Sequence, residues 1–429
     1  MTTRTIAVDY LARVEGEGAL KLTIRDGHVE DAQLKIFEPP RYFEAFMVGR
    51  AATEAPDIAA RICGICPVAY QLSAMAAVED AWDVTVPQPV VDLRRLLLCG
   101  EWIGSHGLHV ILLHAPDFLG YPDAVAMAQD HGDAVRRGLA IKKAGNAIVD
   151  IVGGREIHPI NVRVGGFYSS PPRARMEALR KDIDIAIDAA AEAVDWVAGF
   201  DVPDVATAHE RVAITTPGAY PMAPDRIAST EGLDIPPSAY EDTFVEEHHP
   251  HTTALHAKVI GRGRYLTGPM ARLALSGDAL NPRALAGARA AGMDGLLTNP
   301  YRSIVVRSVE VLHALEEAAR LLADWAPTDQ PYVEVVPREA TGHGVIEAPR
   351  GLLYQRYDTD DEGTVTAAKI VPPTSQNQAS IEADLRVVAD AFVSASDEVL
   401  QHRCEQAIRN HDPCISCATH FLRLEVDRQ

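Results

Sequence analysis

Two Cys-x-x-Cys pairs near opposite ends of the chain constrain its fold more than any other feature. Cys63 and Cys66 form the first pair and Cys414 and Cys417 the second, so the pairs use four of the six cysteines. One turn of backbone at this spacing holds two sulfurs close enough to share an ion, and two such turns supply four soft ligands suited to zinc, nickel or iron–sulfur chemistry. If both pairs bind one site, the two ends of the chain meet in space. We therefore expect one interwoven domain over residues 1–429.

Charge and cysteine usage narrow the classes of function. Forty basic against sixty acidic residues give a net charge of -20, which disfavours nucleic acid and anionic membrane surfaces as partners. The first ten residues lack an apolar signal core, and we expect no apolar run long enough to span a bilayer and hence no membrane span. Six cysteines are too few for a disulfide scaffold in a chain of 429 residues, which favours metal-binding thiols in the reducing cytoplasm.

The hydrophobic pattern predicts an α+β fold that is mainly α. Alternating residues on both sides of Asp26-Gly27 predict a small N-terminal antiparallel sheet over 19–24 and 29–36. Residues 354–371 predict peripheral strands. Three- and four-residue apolar spacing predicts the helices of a large interwoven bundle. The predicted helices cover 53–60, 67–81, 90–113, 130–152, 172–198, 303–323 and 380–410.

Six short motifs are distributed along the whole chain, and two of them contain the cysteine pairs. The motifs are Arg13-Val14-Glu15-Gly16, Arg41-Tyr42-Phe43-Glu44, Arg61-Ile62-Cys63-Gly64-Ile65-Cys66, Glu347-Ala348-Pro349-Arg350-Gly351, Pro373-Thr374-Ser375 and Asp412-Pro413-Cys414-Ile415-Ser416-Cys417-Ala418-Thr419-His420. In this order the sequence resembles the large, catalytic subunit of nickel-iron hydrogenases. It is most similar to the alpha subunit of soluble NADP-linked hydrogenases, also called sulfhydrogenases.

The resemblance implies an activity and a set of partners. Such a chain cleaves dihydrogen heterolytically and reversibly. Its electrons pass through an iron–sulfur small subunit to NAD(P), with flavin and further iron–sulfur clusters in diaphorase subunits, and a maturation protease processes its C-terminus. Two alternatives remain: a metal-free homologue that is a structural subunit of a respiratory complex, and a zinc-stabilised binding module.

The resemblance also implies the metal ligands. All four motif cysteines would bind nickel, and Cys66 and Cys417 would also bridge to an iron that carries carbon monoxide and cyanide. Soft thiolates suit both metals. Spacing alone fits a structural four-cysteine zinc site equally well. Cys99 and Cys404 lack ligand partners in the sequence and are expected to be buried small apolar residues.

Six further residues would act on the reaction or on the diatomic ligands. Glu15 corresponds to the carboxylate that takes a proton from the terminal thiolate of Cys414. Arg350 would place its guanidinium over the metals and contact cyanide, and the preceding Pro349 would contact the same diatomic ligands. Thr374 would donate a hydrogen bond to the other cyanide. Asp117 and Asp412 would hold Arg350 in place as buried counter-charges.

A hard-ion site is implied near the C-terminus. Glu44, the backbone carbonyl of Ile370 and His420 would bind Mg²⁺, for which oxygen ligands are well suited. In the family a dedicated protease cuts after this histidine. Residues 421–429 are therefore expected to be a cleaved propeptide, since their Glu, Asp and Arg side chains are costly to bury.

Overall fold

The computed structural model describes residues 3–222, 224–293, 295 and 297–419, and the predicted class, α+β and mainly α, is confirmed. The α-helices are α1 (Phe43–Met47), α2 (Ala55–Ala59), α3 (Pro67–Trp82), α4 (Gln88–Gly107), α5 (Ala115–Leu119), α6 (Ala124–Gly153), α7 (Arg173–Ala198), α8 (Tyr240–Thr243), α9 (Pro269–Ser276), α10 (Pro282–Ala290), α11 (Ser303–Asp324), α12 (Pro373–Ala391) and α13 (Asp397–Asn410). The strands are β1 (Thr3–Val8), β2 (Gly18–Arg25), β3 (His28–Ile36), β4 (Val162–Arg163), β5 (Gly166–Phe167), β6 (Glu210–Thr215), β7 (Arg226–Ser229), β8 (Asp234–Ile235), β9 (Phe244–Glu247), β10 (His256–Val259), β11 (Tyr265–Leu266), β12 (Ala340–Ala348), β13 (Gly351–Thr359) and β14 (Val365–Val371).

The N-terminal sheet has the antiparallel order β1-β2-β3. Asp26 and Gly27 form the predicted turn, and Leu20 pairs with Leu34 across it. Alternate residues of β2 point into a core shared with α12 and α13, which includes Leu22 and Leu400. Strand β1 was not predicted.

Glycines let the elements around the centre approach closely. A Cβ on Gly145 of α6 would lie 2.6 Å from the carbonyl oxygen of Gly100 in α4, so these two helices cross backbone to backbone. A Cβ on Gly344 of β12 would lie 2.1 Å from the carbonyl oxygen of Ser73 in α3. Because β12 therefore lies directly on α3, the turn into β13 sits beside the start of that helix.

The predicted helix over 380–410 is two helices. Helix α12 ends at Ala391, and α13 begins at Asp397 after its N-cap Ser396, whose side chain accepts a hydrogen bond from the Val399 N–H. Serine is a favoured residue at a helix N-terminus because its oxygen satisfies such a free N–H. Helix α12 also begins seven residues earlier than predicted, at Pro373.

One apolar stretch corrects the expectation that no segment is long enough to span a bilayer. Residues Gln88–Leu119, in which a π-helical segment (Leu108–His114) joins α4 to α5, reach the necessary length and mean hydropathy. However, 78% of the most apolar window is buried within the structure. A core helix satisfies the same criterion.

Candidate metal centre

The structure brings the two cysteine pairs together. Sγ of Cys63 lies 3.4 Å from Sγ of Cys414, and Sγ of Cys66 lies 3.8 Å from Sγ of Cys417. Within the second pair the sulfurs are 2.6 Å apart. All four are buried cysteines outside any disulfide, and their sulfurs lie within 4.8 Å of one another. Four thiolates about 2.3 Å from one ion would be about 3.8 Å apart, so the cluster has the size of a soft-metal site.

The first cysteine pair lies just before α3. Ile65 N–H and Cys66 N–H both donate to Sγ of Cys63 at 3.3 Å, contacts that favour its thiolate. Burial raises the pKa of the Cys63 thiol, but hydrogen bonds from the other thiols and the charge of Arg350 outweigh it, and that pKa falls well below its ordinary value. Burial raises the pKa of the Cys414 thiol well above its ordinary value. A bound cation would therefore be needed to keep all four as thiolates.

The second cysteine pair follows α13 through a left-handed turn. Asp412 has φ +51°, a conformation that asparagine and aspartate tolerate better than most residues. Ile415 N–H then donates to the Glu15 carbonyl oxygen at 3.0 Å, and Cys414 N–H donates to Oγ1 of Thr374 at 3.0 Å. Distant segments therefore fix the loop. Because Thr374 accepts here, its own hydroxyl hydrogen can be donated elsewhere.

Glu15 lies against the second cysteine pair. Its Oε2 accepts a hydrogen bond from Sγ of Cys414 at 3.1 Å and another from the Ser416 N–H at 3.1 Å. The side chain is half-buried, so it connects the thiol cluster with the outer part of the chain. The contact is short enough for direct proton transfer between sulfur and carboxylate.

Arg350 projects from the β12–β13 turn and is 3% exposed. Its Nε donates to the Asp412 carbonyl oxygen at 2.8 Å, its Nη2 to Asp412 Oδ1 at 3.2 Å and its Nη1 to Oγ of Ser105 at 3.4 Å. Pro349, expected to contact the diatomic ligands, has its carbonyl oxygen bound by Arg272 Nη2 at 2.9 Å. The Arg350–Asp412 contact is the predicted one.

Asp117 was predicted to hold Arg350 in place, but it pairs with other arginines instead. Its two oxygens accept from Nε and Nη2 of Arg409 at 2.6 and 3.0 Å, and Arg13 also pairs with it. Burial opposes its ionisation, yet Arg409 lowers the pKa of Asp117. Asp117 thus ties the segment before Glu15 to the end of α13, whose Arg409 is nearer than Arg350 because of how that helix packs.

Two of the three residues of the implied Mg²⁺ site, Glu44 and Ile370, lie in the described part of the chain. Oε1 of Glu44 accepts a hydrogen bond from the Ile370 N–H at 2.7 Å, so these two residues are neighbours. Burial raises the pKa of Glu44, although Lys369 opposes the change. His420 lies outside the described residues. The last described residue, Thr419, accepts a hydrogen bond from the Arg41 N–H at 2.6 Å.

Two residues at the centre were not assigned a role from sequence. Arg41 donates from Nη2 to the Ile62 carbonyl oxygen at 2.6 Å and also to that of Ser416, and so joins the two cysteine loops. Glu101 accepts from the Val68 and Ala69 N–H groups at 2.6 and 3.1 Å, which fixes the first turn of α3. Arg41 begins the motif that also contains Glu44, and this position was the signal that could have identified it as a residue of the centre. Glu101 offered none.

The histidines at the end of α4 and in the π-helical segment that follows it lie within the core. His109 Nε2 is 2.8 Å from the Arg409 carbonyl oxygen, and His106 Nε2 is 3.0 Å from Glu310 Oε2. Burial lowers the pKa of His109 well below its ordinary value. These contacts are those of packing and hydrogen-bonding residues.

Fold and site together define a mainly α protein with a buried cluster of four cysteines that could hold a metal ion, and the comparisons name its family. The family model described as "Nickel-dependent hydrogenase" matches residues 41–137. Sulfhydrogenase 2 subunit alpha of Pyrococcus furiosus is 35% identical over 98% of this chain and 100% of its own length, and sulfhydrogenase 1 subunit alpha of that organism is 32% identical over 98% of each chain. A structure of an NAD+-reducing NiFe-hydrogenase in the H2-reduced state aligns over 97% of this chain and 99% of its own, with a TM-score of 0.88 and 29% identity.

The chain belongs to the nickel-dependent hydrogenase family, oxidoreductases that act on hydrogen. It is a large-subunit chain of that family, and its similarity to sulfhydrogenase alpha subunits confirms the predicted family resemblance.

Proposed function

We propose that this chain is the catalytic large subunit of a cytoplasmic NAD(P)-linked hydrogenase. It would hold a nickel–iron centre and cleave dihydrogen reversibly into protons and electrons. The observation that carries the proposal is the buried cluster of four cysteine sulfurs with the Glu15 carboxylate in contact with Cys414. Cysteines that bind metal instead of forming disulfides also require a reducing compartment, which supports the cytoplasm.

The residues present fit the implied centre. Cys63, Cys66, Cys414 and Cys417 would hold nickel, with Cys66 and Cys417 also on iron, and soft sulfur donors suit both metals. When bound, the metal pair supplies the electron-poor site that polarises dihydrogen and accepts its electrons. Diatomic ligands on iron would meet donors from Arg350 and Thr374 beside the Pro349 turn.

The chain's own residues handle the proton. Sγ of Cys414 receives one proton of dihydrogen, and Oε2 of Glu15, 3.1 Å away, takes it from the sulfur. The Ser416 N–H bond to the same oxygen holds the carboxylate in this orientation. Arg350, kept in place by Asp412, adds positive charge that favours thiolates in the cluster. Asp117 and Arg409 position the segments that carry Glu15 and Asp412.

Electrons must leave through another protein. Beyond the four motif cysteines the sequence has only Cys99 and Cys404, which lie in separate buried clusters and are too few for an iron–sulfur cluster. We therefore propose an iron–sulfur small subunit as partner, with flavin-containing diaphorase subunits leading to NAD(P). The likeness of this chain to the structure of an NAD+-reducing hydrogenase supports this acceptor.

Two parts of the proposal concern the C-terminus. Glu44 and the carbonyl group of Ile370 would bind Mg²⁺ with His420, and the Arg41–Thr419 contact supports this because it leads the chain end toward the segment that carries Glu44. A maturation protease would remove residues 421–429 from the otherwise single domain. Intact mass of active protein tests the removal: a mature chain ending at His420 is expected, and active protein that retains Phe421 would overturn it.

Proton exchange and metal content test the proposal together. The purified complex should contain nickel in equimolar amount to this chain and should exchange hydrogen with deuterated water. Glu15→Gln should keep the nickel and lose most exchange, because glutamine keeps the shape but carries no titratable proton. Glu17→Gln, an exposed residue two positions along, is the matched control. Exchange near the wild-type rate in Glu15→Gln would move the proton route elsewhere, and zinc without nickel would favour a structural homologue.

A further inference from the structure

A second group of metal-ligating side chains lies outside the cysteine centre. His251 lies in the loop that joins β9 to β10, His256 is the first residue of β10, and Glu382 faces them from the middle of α12. Each offers one ligand atom, and these atoms lie within 4.8 Å of one another. His251 Nε2 is 2.7 Å from Glu382 Oε1.

His256 is the unusual member of this group. It is 5% exposed, yet its Nε2 has no hydrogen-bond partner among the described residues. Burying a polar nitrogen without a partner is costly, and such an atom calls for a ligand.

We propose that His251, His256 and Glu382 form a second metal site, which binds a Zn²⁺-class divalent ion. Two imidazoles and one carboxylate are a known zinc donor set, with ligand distances of about 2.0–2.2 Å. Ligand atoms around such an ion lie about 3.4 Å apart in tetrahedral geometry, a spacing that side-chain rotation can reach from atoms within 4.8 Å of one another. The Leu34 N–H bond to Glu382 Oε1 at 3.0 Å orients the carboxylate from outside the site.

The position of the site gives it a structural role. The loop between the two histidines packs Ala254 against Ile415 and Ala418, which belong to the second cysteine loop. In the same loop, Thr253 N–H donates to the Ile36 carbonyl oxygen at 2.7 Å. Helix α12 carries Glu382 in its middle and Thr374 in its first turn. A metal ion that joins this loop to α12 would clamp two elements that support the catalytic cysteines.

Cobalt substitution can separate this site from the thiols. Co²⁺ bound by imidazole and carboxylate shows visible d–d bands, whereas Co²⁺ bound by cysteine adds thiolate charge-transfer bands in the near ultraviolet. The full-length chain, stripped with chelator, is titrated with Co²⁺ and in parallel with Zn²⁺. Wild type should bind one ion more than His251→Gln and Glu382→Gln. In both variants affinity at the site without thiolate bands should fall by at least about tenfold.

Control variants test whether the extra ion is bound by these histidine and glutamate side chains. His251 and Glu382 are each 17% exposed at the side chain, so their glutamine variants should fold, which circular dichroism checks. His28→Gln, an exposed histidine of the N-terminal sheet, should bind like wild type. Cys417→Ser should keep the bands of the histidine site. If His251→Gln and Glu382→Gln bind Co²⁺ as wild type does, or if every bound ion shows thiolate bands, the proposal is wrong.

Discussion

Two buried arginines near the centre, Arg272 and Arg350, differ in how many of their N–H donors form hydrogen bonds. Arg272 makes five hydrogen bonds of 3.0 Å or less, to both oxygens of Glu310, to Glu347 and to two carbonyl groups, and it also lies over the Trp102 ring at 4.2 Å. Arg350 makes three bonds to described residues, two of them longer than 3.0 Å. A guanidinium has five N–H donors, so the first is saturated while the second keeps donors for a ligand.

The saturated arginine also positions the other. Nη1 and Nη2 of Arg272 bind the carbonyl groups of Ala348 and Pro349, which immediately precede Arg350. The comparison indicates that an arginine whose donors are all bonded supports the structure, whereas an arginine with unused donors can bind a ligand in the active site. Substitutions in the two networks should therefore separate stability from activity.

The largest expected effect is that of Arg272→Met on stability. Removing one partner of a buried ion pair leaves the charges of Glu310 and Glu347 uncompensated, so the free energy of unfolding should fall by about 3–5 kcal/mol. Chemical denaturation of the full chain measures this. Arg136→Met, which breaks an exposed pair with Asp133, is the control and should leave the transition in place. A loss in Arg272→Met as small as in the control would contradict a structural role.

Arg350→Lys should have the opposite profile. Lysine keeps the charge and loses the planar fork, so hydrogen oxidation per bound nickel should fall by about 10²–10³-fold, the effect typical of removing one preorganised donor. The unfolding midpoint should change little. Activity near wild type, or a large loss of stability, would remove the distinction between the two arginines.

Tyr220→Phe tests the saturated network more gently. The Tyr220 hydroxyl donates to Glu310 Oε1 at 2.6 Å in the core. Loss of a hydrogen bond to a charged group should lower the free energy of unfolding by about 1.5–3 kcal/mol, again without loss of activity per nickel. Reduced activity with unchanged stability would place this network in the site instead.

Thr374→Val should have the smallest effect. Valine keeps the shape but loses both the acceptor for the Cys414 N–H and the free hydroxyl donor, so activity per nickel should fall about tenfold. Thr374→Ser retains the hydroxyl and should restore activity. Equal activity of the valine and serine variants would show that the hydroxyl has no part in the reaction.

The sequence predicted the centre better than its supports. Cys63, Cys414, Glu15 and Thr374 lie in local motifs, so their association could be inferred before the fold was known. The partner of Asp117 could not, because Asp117 and Arg409 are 292 residues apart and only helix packing decides which arginine is nearer. Similar physics explains the break after Ala391, where a local Ser396 cap overrides a continuous apolar pattern.

Arg272 shows why supporting residues are hard to predict. It lies in α9, a helix outside the motifs and the predicted elements, and a charged residue in a helix is ordinarily exposed. Its burial becomes apparent only when Glu310 from α11 and Glu347 from β12 are brought to it. Helix α7 was predicted to within one residue because its buried residues, such as Ile183, Ile187 and Ala190, recur three or four positions apart in the local pattern.

The infrared spectrum of the purified complex tests the central claim most directly. Metal-bound carbon monoxide and cyanide absorb in a window free of protein bands. The account predicts these bands in wild type, altered cyanide bands in Arg350→Lys and Thr374→Val, and none in Cys417→Ser, while the Cys404→Ser control resembles wild type. A nickel-containing, active wild-type complex without bands in this window would contradict the proposed nickel–iron centre.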